Sequence, residues 1–165
     1  MRRTGWATAT ACAAVMAISG AQVMGANGAG TARNQSNDDH REAKPCTDAT
    51  IRGEYGGQIQ GTRPAPGGLT ESVIGVVFRN YDGNGSIDQV DNVKGSITGM
   101  VPDRPGFGTY AVNPDCTGTA RFQPGPGILI EERLVIVDDG REIRLITALP
   151  AGIMVTGVFQ RIHER

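Results

Sequence analysis

The run Phe78-Arg79-Asn80-Tyr81-Asp82-Gly83-Asn84-Gly85-Ser86-Ile87 constrains this chain more than any other segment. A β-branched, aromatic approach through Val73, Ile74, Val76, Val77 and Phe78 enters a glycine-bearing reversal, and a second strand-like run leaves it with Val90, Val93 and Ile97. Asp-Gly and Asn-Gly supply the positive φ that tight hairpins require, so the segment predicts a β-hairpin and not a helix.

The same grammar repeats. The chain holds 24 Gly in 165 residues, roughly twice the usual share of about 7%, with no three-residue period. Candidate strands cover 51–61, 72–80, 87–98, 108–113, 118–122, 128–137, 142–149 and 153–162. Turn signals separate them at Pro102-Asp103-Arg104-Pro105-Gly106, Pro114-Asp115, Pro124-Gly125-Pro126-Gly127, Asp138-Asp139-Gly140 and Pro150-Ala151-Gly152. Without crossover helices the sheet is expected to be antiparallel. An open sheet of this size leaves exposed edges and an uncovered apolar face. The expected fold is therefore all-β, a single closed antiparallel barrel of about eight strands, with a β-sandwich as the alternative.

The beginning of the chain reads differently. Met1-Arg2-Arg3 precedes a small, apolar stretch from Trp6 to Val23, the form of a secretory signal, with cleavage expected after Ala21. Residues 1–21 are read as signal, 22–45 as a flexible polar leader containing His40, and 46–165 as the barrel domain. The expected location is exported, periplasmic or extracellular, with no stable membrane anchor. Loss of Arg2 and Arg3 leaves 14 Lys+Arg against 17 Asp+Glu, a balance that argues against a nucleic-acid partner. Cys12 leaves with the signal, and Cys46 with Cys116 are expected to form one disulfide, a free reactive Cys116 being the alternative.

At Gly108-Thr109-Tyr110-Ala111-Val112-Asn113-Pro114-Asp115-Cys116-Thr117-Gly118-Thr119-Ala120 the chain resembles small secreted bacterial proteins related to the allene oxide cyclase and dirigent-like barrel group. The similarity extends loosely over 51–162 and includes the preceding Asp-Gly-Asn-Gly hairpin. It implies a barrel with an apolar cavity. Some members of that group cyclise or guide reactive small molecules, and others have no assigned activity. No catalytic residue of the plant cyclases transfers position by position.

Period-two spacing puts Glu132 in the otherwise apolar row Ile128, Ile130, Leu134 and Ile136, which makes it the candidate acid or base. Buried alone it would hold its proton; paired with Arg144 or Arg121 it would stay ionised. Tyr81 and Tyr110 are candidate cavity hydroxyls; residues 113–118 read as a rigid hairpin turn whose Asn, Asp and Thr groups bond their own backbone, and if that turn caps a cavity, Asn113 and Asp115 are candidate groups at its mouth. Tyr81, Asn113 and Asp115 join Glu132 as catalytic candidates, while Tyr110, Arg144, Arg121, Phe78 and Phe159 are candidate ligand contacts. Asp82-Gly83-Asn84-Gly85-Ser86-Ile87-Asp88 resembles a calcium loop in its oxygen-bearing residues, but it lacks the closing Glu and flanking helices, so a hairpin turn is preferred. No metal or cofactor is expected.

Nucleophile elbows, phosphate loops, zinc helices and dinucleotide fingerprints are missing from the sequence. The expected partner is a small apolar molecule held inside the barrel, with a cofactor-free cyclase or isomerase and a ligand-free structural module as alternatives. Oligomeric state is left open.

Overall fold

The structure is a computed structural model and describes residues 44–163; the expected signal and all of the leader but Lys44 and Pro45 lie outside those residues. Eight strands follow in order: β1 (Gly53–Ala65), β2 (Leu69–Tyr81), β3 (Ser86–Gly95), β4 (Gly99–Val112), β5 (Thr117–Gly125), β6 (Ile128–Val137), β7 (Glu142–Leu149) and β8 (Met154–Arg161). Each pairs antiparallel with the next, and β8 returns to β1 with Tyr55 opposite Arg161 and Thr62 opposite Met154. The ring is closed, as the alternation predicts.

Alternation decides what faces inward. On β2, Val73, Val77, Arg79 and Tyr81 are buried while Ile74, Val76 and Phe78 are exposed, because successive side chains leave a strand on opposite faces. On β6 the inward row is Ile130, Glu132, Leu134 and Ile136. Gly57 of β1 belongs to the inner face, and a Cβ there would lie 2.3 Å from the ring of Phe159. A larger residue at that position excludes the phenylalanine from the core.

One end of the barrel is plugged. A short 3-10 turn, Asp48–Ile51, buries Ile51 against Tyr55, Tyr81 and the rest of the apolar core. Asp48 accepts the Val112 amide through Oδ1 at 2.7 Å. Arg161 donates to the carbonyls of Thr50, Arg52 and Gly140, so the polar backbone of the plug keeps partners. The Tyr55 hydroxyl also donates to the Gly140 carbonyl. Cys46 and Cys116 are joined as a disulfide, tying the plug to the β4–β5 turn.

The turn expected at 102–106 is corrected: these residues lie inside β4. Asp91 pairs with Arg104 and Val93 with Val101, so Pro102 and Asp103 together face Asn92 in a bulge. Asp103 adopts φ 48°, and its amide donates to Asn92 Oδ1 at 3.2 Å. A side chain from the neighbouring strand thus replaces the missing ladder bond, which a reading of Pro and Gly as breakers does not foresee.

The disulfide closes a loop of 70 residues, for which chain entropy gives about 4 kcal/mol. The double variant Cys46→Ser/Cys116→Ser is expected to lose stability of about that size, read as a lower urea midpoint at nearly unchanged slope. An unchanged midpoint would show that the plug holds without its tether.

Candidate functional site

In a closed ring of eight, β2 and β6 stand on opposite walls. Their inward rows bring Arg79 and Glu132 together across the lumen, with Nη1 to Oε2 at 2.8 Å and Nη2 to Oε1 at 2.9 Å. Both side chains are almost wholly shielded from water. The guanidinium also lies 4.4 Å from the ring centre of Phe159 and 5.0 Å from that of Phe122. Burial opposes the charged form of Arg79, but the Glu132 carboxylate and then Tyr81 outweigh it, and the net direction is up.

The pair continues as a polar chain. Arg79 Nε donates to Gln89 Oε1 at 3.0 Å, and Gln89 Nε2 donates to Asp91 Oδ2 at 3.1 Å. Arg104 then holds Asp91 through Nε and Nη2, both at 2.9 Å. Gln89, Asp91 and Arg104 come from β3 and β4 and lie along one side of the ion pair. On the other side of it the interior is packed with Tyr55, Tyr81, Leu134, Ile136, Ile143 and Phe159.

Beyond the pair, toward the β1–β2 and β3–β4 links, packing stops. A cavity of about 90 Å³ opens there, walled by Val73, Val77, Val93, Phe122, Ile130 and Val155 with the polar chain at its floor and flank. At its rim Arg63 donates from Nε to Glu71 Oε1 at 2.8 Å. Glu71 also accepts the amides of Ile97 and Thr98, both at 2.9 Å, and the Thr98 hydroxyl at 2.7 Å. The Thr98 amide is the largest influence on the carboxyl; burial opposes it, but Arg63 and the remaining donors bring the pKa down to about 2.

The candidates from the sequence divide between three places. Glu132 is inward, in the row its spacing indicated, and Phe159 is fully buried beneath Arg79. Tyr81 is also fully buried, and its hydroxyl accepts from Arg79 Nη1 at 3.4 Å. Burial is the main cause of its raised pKa. Tyr110 is at the plugged end, stacked edge-to-face on Tyr81 at 5.0 Å. Its hydroxyl accepts from the Gly83 amide at 2.9 Å and donates to the Asp48 carbonyl at 3.1 Å, so it does not border the cavity.

Three interior assignments are corrected. Phe78 sits on the outer face with Ile74 and Val76, since Val77 and Arg79 on either side of it point inward. Arg144 stands opposite Val135 on the outer face and bonds Glu142 at 2.7 Å. Arg121 stands opposite Glu131, again outside, and bonds it at 2.9 Å. Cross-strand partners share a face, so neither arginine reaches Glu132, whose cation is Arg79.

The cavity-mouth role of Asn113 and Asp115 is corrected too, while the hairpin-turn reading agrees with the structure. Both residues occupy the exposed β4–β5 turn at the plugged end, away from the cavity. Asn113 Nδ2 donates to Thr117 Oγ1 at 2.9 Å, and Asp115 Oδ1 accepts the Thr117 hydroxyl at 2.7 Å and its amide at 3.0 Å. Asp82 similarly spends Oδ1 on the amides of Asn84 and Ser86, which is the work of a hairpin turn. Among the described residues, no group of three or more His, Cys, Asp or Glu is arranged to hold a metal ion.

Arg79, Gln89, Asp91 and Arg104 were not singled out from the sequence. The signal was present for three of them: period-two counting puts Arg79 in line with Val73, Val77 and Tyr81, and Gln89 and Asp91 in line with Ile87 and Val93.

Glu132→Ala leaves Arg79 buried and unpaired, with an expected cost of about 3–5 kcal/mol. The double variant Arg79→Met/Glu132→Leu is expected to recover a large part of that loss, because it removes both desolvated charges. Urea unfolding of the two variants measures the difference; equal losses would show that the pair acts through shape alone.

Glu71 takes up its proton near 4.5 when unfolded and near 2 when folded. Between those values the unfolded chain binds more protons, so stability falls as pH drops from about 4.5 toward 2. Glu71→Gln is expected to flatten that part of the stability–pH curve, leaving the slope that Asp82, Asp115 and Glu142 contribute, whose pKa values are also lowered. No family model matches the chain, and no curated protein or solved structure matches it either.

Proposed function

We propose that this is an exported barrel that binds one small, mainly apolar molecule in its lumen. The observation that carries the reading is the asymmetry of the interior, packed solid on one side of Arg79–Glu132 and left as an apolar-walled cavity on the other. Small-molecule sites combine such a wall with a few fixed polar groups. The volume of about 90 Å³ is below the usual range of about 300–1,000 Å³ for ligand clefts, so the guest is a compact molecule. Export is supported by the signal-like beginning and by the disulfide, which fits an oxidising compartment. Kinship with the allene oxide cyclase and dirigent-like barrels belongs to the same proposal and rests on the 108–120 segment.

Binding is favoured over acid–base chemistry for a specific reason. Both oxygens of Glu132 accept from Arg79, so the group named as the candidate acid or base is held by the guanidinium through each of its oxygens. Cyclisation by Glu132 would require that pair to open first.

Methyl NMR of the mature protein during titration with small cyclic hydrocarbons and ketones tests the reading. Saturable shifts are expected at Val73, Val77, Ile130 and Val155, and are expected to vanish in Val155→Phe, whose ring fills the cavity while the amide spectrum reports an intact fold. Shifts confined to the outer residues Ile74, Val76 and Val158, or no shifts, would leave the barrel a structural module without a guest.

A further inference from the structure

We infer that the lumen selects a guest carrying a neutral carbonyl-type acceptor oxygen, and that Arg104 and Arg63 are the residues that recognise it. This rests on the lumen-binding reading above and names the chemical class of its ligand.

The argument is a balance of donors and acceptors around the cavity. Every carboxylate oxygen there already accepts at least one hydrogen bond, and the acceptor sites of Glu71 are full. Glu132 gives one oxygen to each terminal nitrogen of Arg79. Asp91 Oδ1 accepts from Arg104, and Oδ2 accepts from both Arg104 and Gln89. At the rim, each Glu71 oxygen accepts twice. Gln89 Oε1 is taken by Arg79.

Donors, in contrast, are left over. Arg104 spends Nε and Nη2 on Asp91, and Arg63 spends Nε on Glu71 and Nη2 on Thr98 Oγ1, which leaves the Nη1 group of each guanidinium for another partner. Gln89 spends one amide N–H on Asp91 and has a second. Arg63, Gln89 and Arg104 all border the cavity. Thr147, which also borders it, adds a hydroxyl that serves in either role.

Charge narrows the class. Arg63, Arg79 and Arg104 are each matched to a carboxylate, Glu71, Glu132 and Asp91 respectively. With no unmatched positive charge, a carboxylate guest would bring an uncompensated charge into a partly dry site, which is costly. A ketone, aldehyde or ester oxygen accepts the spare N–H groups without that cost. A guest that offers only a donor competes for the few acceptor sites left on Glu132 and Asp91, and a pure hydrocarbon displaces water from the part-exposed guanidinium groups without replacing its hydrogen bonds.

Three ring compounds of similar size separate these cases in the methyl NMR titration: cyclopentanone as acceptor, pyrrole as donor, and cyclopentane as neither. Cyclopentanone is expected to bind about tenfold or more tightly than the other two, the scale of one hydrogen bond to a charged group. That advantage is expected to shrink in Arg63→Met, where Glu71 keeps its backbone donors, and in the double variant Arg104→Met/Asp91→Asn, which strands no charge. Equal affinity for the three compounds, tighter binding of pyrrole, or an advantage that survives both variants would overturn the inference while leaving lumen binding in place. Failure of all three to shift the lumen methyls would overturn both. The comparison on the unmodified protein decides the matter even where the double variant does not fold.

Discussion

The ion pair between Arg79 and Glu132 is the interaction around which the interior is organised. It spans the lumen from β2 to β6, on opposite walls of the ring, and both side chains are almost wholly withdrawn from water. Neither charge is tolerable there alone, because the desolvation cost of each is offset only by the partner and by further hydrogen bonds. On the arginine the further hydrogen bonds go to Gln89 and the Tyr81 hydroxyl, and the rings of Phe122 and Phe159 lie against the guanidinium. A pair so placed requires both walls at a fixed separation, which closure of β8 onto β1 provides.

Different physics governs the two sides of that strap. Toward the N-terminal plug, three tyrosines, Ile51 and the disulfide fill the space, and Arg161 supplies donors to the carbonyls of the plug. Among the described residues each buried side-chain nitrogen and oxygen has a partner, so no side chain at that end is left with an unpaired polar atom. On the far side the walls are mostly valine and isoleucine, side chains too short to meet across the ring, and the polar chain from Arg79 to Arg104 keeps one flank hydrophilic. Such an enclosure is apolar with a directional hydrogen-bonding edge.

Glu132 and its apolar row were legible in the sequence because strand alternation is a local rule. The cation that neutralises it was not, since Arg79 is 53 positions away and meets it from the opposite wall of the ring and not across a ladder. Arg121 and Arg144, nearer in sequence, are on β5 and β7, the two neighbours of β6, but on the outward parity. The stretch 102–106 shows another limit: a bulge supported by Asn92 on the neighbouring strand lets Pro102 and Pro105 remain in β4. Asn113 and Asp115 were correctly seen as turn formers, yet which end of the barrel their turn occupies depends on where the N-terminal segment docks.

From its residues alone this chain determined that it is antiparallel β, where most strands begin and end, and which side chains share a face, because turn chemistry and the two-residue period act between near neighbours. Only the tertiary structure decided which faces oppose one another across the ring, which end is stoppered, and which arginine meets Glu132. Those depend on closure, where the pairing of β1 with β8 converts rows that are independent along the chain into a single enclosed surface.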